Sequence, residues 1–253
     1  MLKKFLIGIL FTAAFSNLSF SYQAENLFIK GNEYYQKNDF EKAAETYETL
    51  IKSDYEGTSL YYNLGNTYYR MGKLGYAILN YEKALKLSPG DEDIQHNLAL
   101  ANAKTIDKIE NLPKFFIFQW WENTLALFSV SGWTITAYIF YFLVLLSIGL
   151  YFFSRNQLRQ KYSIVSGLTS LSLLVIVIVF LIVKVNREVN VKSGVVIEQS
   201  VNVKLSPDEN SSDAFIIHEG LKVRLEDEVD NWVKIRLQDG KIGWMPESDV
   251  KTI

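Results

Sequence analysis

The chain has no cysteine and only two histidines, His96 and His218, among 253 residues. Disulfides, thiol nucleophiles and cysteine-held metals are therefore excluded, and two histidines leave little material for a metal cluster. No nucleophile–His–acid set and no glycine-rich phosphate loop is present, so neither enzymatic activity nor a cofactor is expected. A basic face is also missing. Residues 25 to 112 hold 14 acidic and 10 basic side chains, net −4, and residues 193 to 253 hold 12 and 7, net −5. Phosphate backbones need the opposite sign, so nucleic acid is not an expected partner.

Charge itself is missing from two long apolar stretches, one between Glu122 and Arg155 and one between Lys161 and Lys184. A helix over residues 162 to 183 would run about 33 Å at about 1.5 Å per residue, close to the roughly 30 Å of a bilayer core. The expectation is a transmembrane hairpin with spans at 131–153 and 162–184 and a short basic cytoplasmic loop at 154–161; the alternative is a pair of buried core helices. No ionisable side chain lies inside either span, which removes the material for a proton or ion path. Ser163, Gly167 and Ser170 offer small residues at close helical spacing for packing. The aromatic residues Phe115, Phe116, Phe118, Trp120 and Trp121 suggest an interfacial helix over 115–130.

Lys3 and Lys4 precede an apolar run from Phe5 to Phe15, and Ser19 and Ser21 come after it. These features read as a secretory signal over 1–21 or, uncleaved, as an anchor. Either would export the segment downstream of it. The expected location is thus the inner membrane, with both soluble segments periplasmic.

The first soluble segment repeats itself at an offset of 34: Gly31-Asn32-Glu33-Tyr34-Tyr35 returns as Gly65-Asn66-Thr67-Tyr68-Tyr69. Ala43, Tyr47 and Glu48 return as Ala77, Tyr81 and Glu82. Each unit reads as two helices, with Asn38 and Gly72 at the turn. Tyr61, Leu64, Gly65, Tyr68, Ala77, Tyr81, Ala84 and Pro89 match the pattern of the tetratricopeptide repeat, which the segment resembles. The first repeat departs at Lys30, Leu50 and Tyr55. The expected units are 24–57 and 58–91, with a capping helix after them at 92–110. The resemblance implies a groove for peptide segments of partner proteins, faced by Asn32, Tyr35, Gln36, Tyr62, Asn63, Asn66, Tyr69 and Arg70. It also weakens the family's carboxylate clamp: Asn32 and Asn63 are in place, but Phe28, Asp93 and Asn97 stand at its basic positions.

From residue 193 to 253 the pattern becomes short alternating β-branched runs, implying five or six strands in a small barrel. Val201-Asn202-Val203-Lys204, Asn231-Trp232-Val233-Lys234 and Asp239-Gly240-Lys241-Ile242-Gly243-Trp244 resemble the bacterial SH3 domain. Its members bind peptides or peptidoglycan, which makes Trp232, Trp244 and Pro246 a candidate ligand surface. In so small a barrel, Trp244 is more readily expected in the core.

The fold class expected is a multidomain membrane protein: all-α repeats, a two-helix hairpin and a small all-β barrel. The order of parts resembles the E-type membrane proteins of the Bacteroides aerotolerance (Bat) operon. That resemblance implies a non-enzymatic scaffold in a stress-related complex with von Willebrand A-domain proteins and a MoxR-type ATPase. A module that anchors to peptidoglycan is the alternative.

Overall fold

The computed structural model describes residues 23–108 and 115–253. The expected signal segment and the end of the expected capping helix lie outside them. The repeats form five helices, α1 (23–36), α2 (Phe40–Lys52), α3 (Thr58–Arg70), α4 (Leu74–Leu87) and α5 (Glu92–Lys104). Asn38 (φ 60°) and Gly72 (φ 77°) turn α1 into α2 and α3 into α4 through the left-handed region, which these residue types tolerate. A Cβ on Gly31 would lie 2.5 Å from the Tyr47 ring, and one on Gly65 would lie 2.7 Å from Tyr81. Glycine at both sites lets paired helices close on a tyrosine, and both tyrosines are fully buried. Lys30, a departure from the repeat pattern, is exposed on α1.

Helices α6 (Phe116–Ala126), α7 (Val130–Phe153) and α8 (Gln157–Asn190) come next. The α7–α8 pair is antiparallel: Ser147 Oγ meets Ser166 Oγ at 3.0 Å, and the Trp133 and Phe180 rings stack at 5.1 Å. Gly167 admits Ser147, whose side chain would sit 3.3 Å from an added Cβ, and Ser163 is buried beside them. α6 folds onto the far end of this pair. There Trp121 stacks on Phe180 at 4.7 Å and Trp133 Nε1 donates to the Leu125 carbonyl at 3.4 Å. Both α7 and α8 are long and apolar enough to cross a membrane. Most of their large side chains, such as Phe142, Phe152, Val165 and Ile182, face outward rather than into protein, unlike buried core helices.

The C-terminal segment is a seven-stranded antiparallel sheet in the order β3-β2-β6-β5-β4-β1-β7. Its strands are β1 (Lys192–Val196), β2 (Ser200–Lys204), β3 (Asp213–His218), β4 (Lys222–Val229), β5 (Trp232–Arg236), β6 (Ile242–Pro246) and β7 (Val250–Thr252). Val201, Val203, Val223, Val233, Ile235 and Met245 fill its core at alternate positions, as a period of two demands. That period corrects the core expectation for Trp244. Gly243 and Met245 take the inward positions of β6, so Trp244 points outward, half-buried, with Lys234 Nζ 5.9 Å from its ring.

The two soluble segments are in contact. α8 continues to Asn190 and β1 begins at Lys192, so a single residue separates helix from sheet. Val195 is buried in the hydrophobic cluster of the repeats, and Ile253 packs against it. Lys222 Nζ reaches Glu82 at 2.7 Å. His218 donates its backbone N–H to Asp107 at 2.6 Å, and its ring Nδ1 lies 3.0 Å from the same carboxylate. The helix starts explain one contact. α2 begins at Asp39, whose side chain accepts from the Lys42 N–H, but 34 residues on, α4 begins at Lys73, which cannot cap. The sheet supplies the missing acceptor: the Gly75 N–H donates to Glu219 Oε2 at 3.2 Å. A carboxylate there also offsets the positive end of the helix. Repeats and sheet thus sit together at one end of the helical hairpin, with Arg187 of α8 bonded to Glu122 of α6 at 2.6 Å.

Candidate functional site

The first helices of the units, α1, α3 and α5, line the groove, and their asparagines form a ladder. Asn32 Oδ1 accepts from the Tyr47 hydroxyl at 2.6 Å and from Asn63 Nδ2 at 2.9 Å. The arrangement recurs one repeat on: Asn66 Oδ1 accepts from the Tyr81 hydroxyl at 2.7 Å and from Asn97 Nδ2 at 2.9 Å. Asn97 also donates to the Tyr62 hydroxyl at 2.9 Å. Among the described residues, Asn32 Nδ2, Asn66 Nδ2 and Asn63 Oδ1 have no protein partner. The ladder spends one side of each carboxamide on rigidity and leaves the other side to the groove.

The tyrosines keep the ladder in one state. Burial pushes the Tyr47 phenol up to about 12 and raises that of Tyr81 further, so both remain donors across physiological pH. Tyr35, Gln36, Asn32, Asn63 and Asn66 line a cavity of about 310 Å³. Tyr35 and Asn66 also open onto a neighbouring one of about 190 Å³, lined by Tyr69, Arg70, Asn97 and Leu100. All the residues expected at the groove therefore come together there, with Tyr62 beside them through Asn97. Arg70 lies over the Phe40 ring at 4.7 Å, and Lys104 Nζ over Tyr69 at 4.3 Å. Arg70 is the one charged residue among the described residues lining the two cavities. Chemically, it offers amide donors and acceptors spaced along a line, flanked by half-buried aromatic rings.

Asn97 and the Tyr47 and Tyr81 hydroxyls belong to the groove in addition to the expected set. The sequence does carry a signal for them, since Asn63 and Asn97, like Tyr47 and Tyr81, stand 34 apart.

On the sheet, Trp232 and Pro246 are cross-strand partners. With Asn202, Lys204, Glu209 and Asp249 they line an open cavity of about 400 Å³. Trp244 stays outside this lining, on the same outward face of β6. Among the described residues no group of His, Asp and Glu side chains is placed to hold a metal.

The TPR repeat family matches residues 31–72, and the tetratricopeptide repeat family matches residues 59–91. Residues 31–91 are therefore tetratricopeptide repeats. Protein bimA of Emericella nidulans is 32% identical over 63 residues, which is 25% of this chain and 8% of that protein. Protein O-mannosyl-transferase TMTC1 of Mus musculus is 34% identical over 76 residues, 30% of this chain and 8% of that one. The chain thus spans less than a tenth of the length of either relative.

Proposed function

We propose that the chain is a non-enzymatic scaffold, anchored in the inner membrane by α7 and α8, whose repeats hold an extended segment of a partner protein. The asparagine ladder carries this reading. An extended peptide presents a backbone N–H and C=O along its length, and the unspent carboxamide groups of Asn32, Asn63 and Asn66 match that pattern without selecting charge. Tyr35 and Tyr69 add rigid aromatic area at little entropic cost. The repeats, sheet and α6 all gather at one end of the hairpin, which favours a single outer, periplasmic face for the complex. A von Willebrand A-domain protein of an aerotolerance or stress complex is the partner that the order of parts suggests.

The Gln36→Glu, Tyr69→Ala double variant of the full chain should lose its co-purifying membrane partners, by about tenfold or more in yield if each groove contact is worth about 1 kcal/mol. The fold should survive with a modestly lowered thermal midpoint, because Gln36 is exposed and the half-buried Tyr69 gives up some packing against the repeat core. Undiminished partners would overturn the groove assignment.

The Trp232–Pro246 cavity favours a second reading, in which an SH3-like sheet binds peptidoglycan. In that case purified sacculi should retain the full chain and release it on Trp232→Ala. Equal retention of the two would remove the wall-anchoring role.

A further inference from the structure

A larger cavity, about 860 Å³, opens where the repeats, α6, the end of α8 and the sheet converge. Its lining contrasts with the rest of the molecule. Lys86, Lys184, Arg187, Lys222 and Arg224 contribute five positive charges, while Glu82 and Glu122 contribute two negative ones. Both carboxylates are already engaged, Glu82 by Lys222 at 2.7 Å and Glu122 by Arg187 at 2.6 Å. The lining is net +3 in a chain of net −2. Among the described residues Arg224 is exposed and has no ion pair, and Lys86 donates to the Ile253 main-chain oxygen at 3.3 Å.

The position of this cavity indicates its ligand. Lys184 is the first charged residue after the apolar run of α8, and Arg187 lies one turn later. Leu125 and Ala126 of α6 form part of the wall. The rest of α6 exposes Phe116, Phe118 and Trp120, which are 73%, 64% and 62% accessible, as a helix lying at a bilayer surface does. If α7 and α8 anchor the chain, as proposed for its function, the cations stand at headgroup level, with an acyl-compatible aromatic surface beside them. We infer that this junction cavity binds the phosphate headgroup of an anionic phospholipid, bridging repeats, hairpin and sheet. Phosphate is a multidentate acceptor suited to Arg and Lys approaching from several elements. Bound there, it would neutralise Lys86 and Arg224, neither of which pairs with an Asp or Glu side chain among the described residues.

The test uses the full chain in mild detergent and native mass spectrometry, with phosphatidylglycerol or phosphatidylcholine added. The parent should retain phosphatidylglycerol preferentially. The Lys86→Gln, Arg224→Gln double variant should bind it about tenfold or more weakly, since the phosphate loses two charge-assisted partners inside the cavity. A control double variant at the other end of the hairpin, Arg155→Gln with Arg159→Gln, should bind as the parent does. Equal retention of both lipids, or equal loss in the two double variants, would overturn the site. Stabilisation by inorganic phosphate that depends on Arg224, without retention of phosphatidylglycerol, would overturn the lipid as its source. An alkaline wash of membranes separates the two ideas: a chain that leaves the membrane defeats the anchor, whereas one that stays without lipid preference defeats the headgroup site alone.

Discussion

Gly220→Ala should lower the stability of the full chain by about 2–5 kcal/mol, combining about 1–2 for a left-handed backbone with about 1–3 for overpacking. Gly220 sits in the turn between β3 and β4 at φ 86°, and an added Cβ would lie 2.6 Å from Thr105 Cγ2 and 2.8 Å from Ile78 Cδ1. Both atoms belong to the repeat side of the junction, so the clash falls between the two halves rather than inside one. Gly240→Ala is the comparison. Its φ is 94°, but nothing lies within 4 Å of the new Cβ, leaving only the backbone cost of about 1–2 kcal/mol. Thermal unfolding followed by tryptophan fluorescence should place Gly220→Ala clearly below Gly240→Ala. Equal midpoints would mean that repeats and sheet do not fold as one body. From the opposite face, Gly75 meets the sheet just as closely, with an added Cβ 2.7 Å from the Val196 carbonyl oxygen.

Asn66→Leu is also expected to be costly, for a different reason. Asn66 Oδ1 accepts from both Tyr81 and Asn97, and Tyr81 is only 1% exposed. Losing the acceptor strands the buried Tyr81 hydroxyl, at about 1–3 kcal/mol, and takes one of two acceptors from the Asn97 amide, which keeps Tyr62. Asn66→Asp separates stability from recognition. A carboxylate still accepts from Tyr81 and Asn97, so the fold should hold, but the amide donor facing the groove is gone and a negative charge replaces it. Peptide capture should fail while the thermal midpoint stays within about 1 kcal/mol of the parent, the usual scale of a tolerated polar change.

The helix pairs of the repeats and the alternation of the sheet are legible in the sequence because both rest on local periodicity. The 34-residue offset shows that Asn32 and Asn66 occupy equivalent positions, and the resemblance to tetratricopeptide repeats implies that these positions face a groove. What it does not reveal is that their oxygens are consumed by Tyr47 and Tyr81. The pattern marks those tyrosines as packing residues, and only the folded backbone shows where a hydroxyl reaches. Trp244 departs from its expected core position because register outweighs size: Met245 takes the inward place on β6. The joining of repeats and sheet depends on contacts between residues far apart in the chain, such as Glu82 with Lys222 and Asp107 with His218. One local clue does exist. Where the first repeat has Asp39 as a cap, the second has Lys73, and a helix start without a cap signals an acceptor brought from elsewhere.

The central claim is that the asparagine ladder holds a partner's extended segment, and photo-cross-linking from position 36 in native membranes tests it most directly. With benzoylphenylalanine in place of Gln36, mass spectrometry should identify a peptide of another protein joined to the groove, and that adduct should disappear on Asn66→Asp. An adduct of equal yield in the Asn66→Asp chain, or cross-links confined to the chain's own segments, would contradict it.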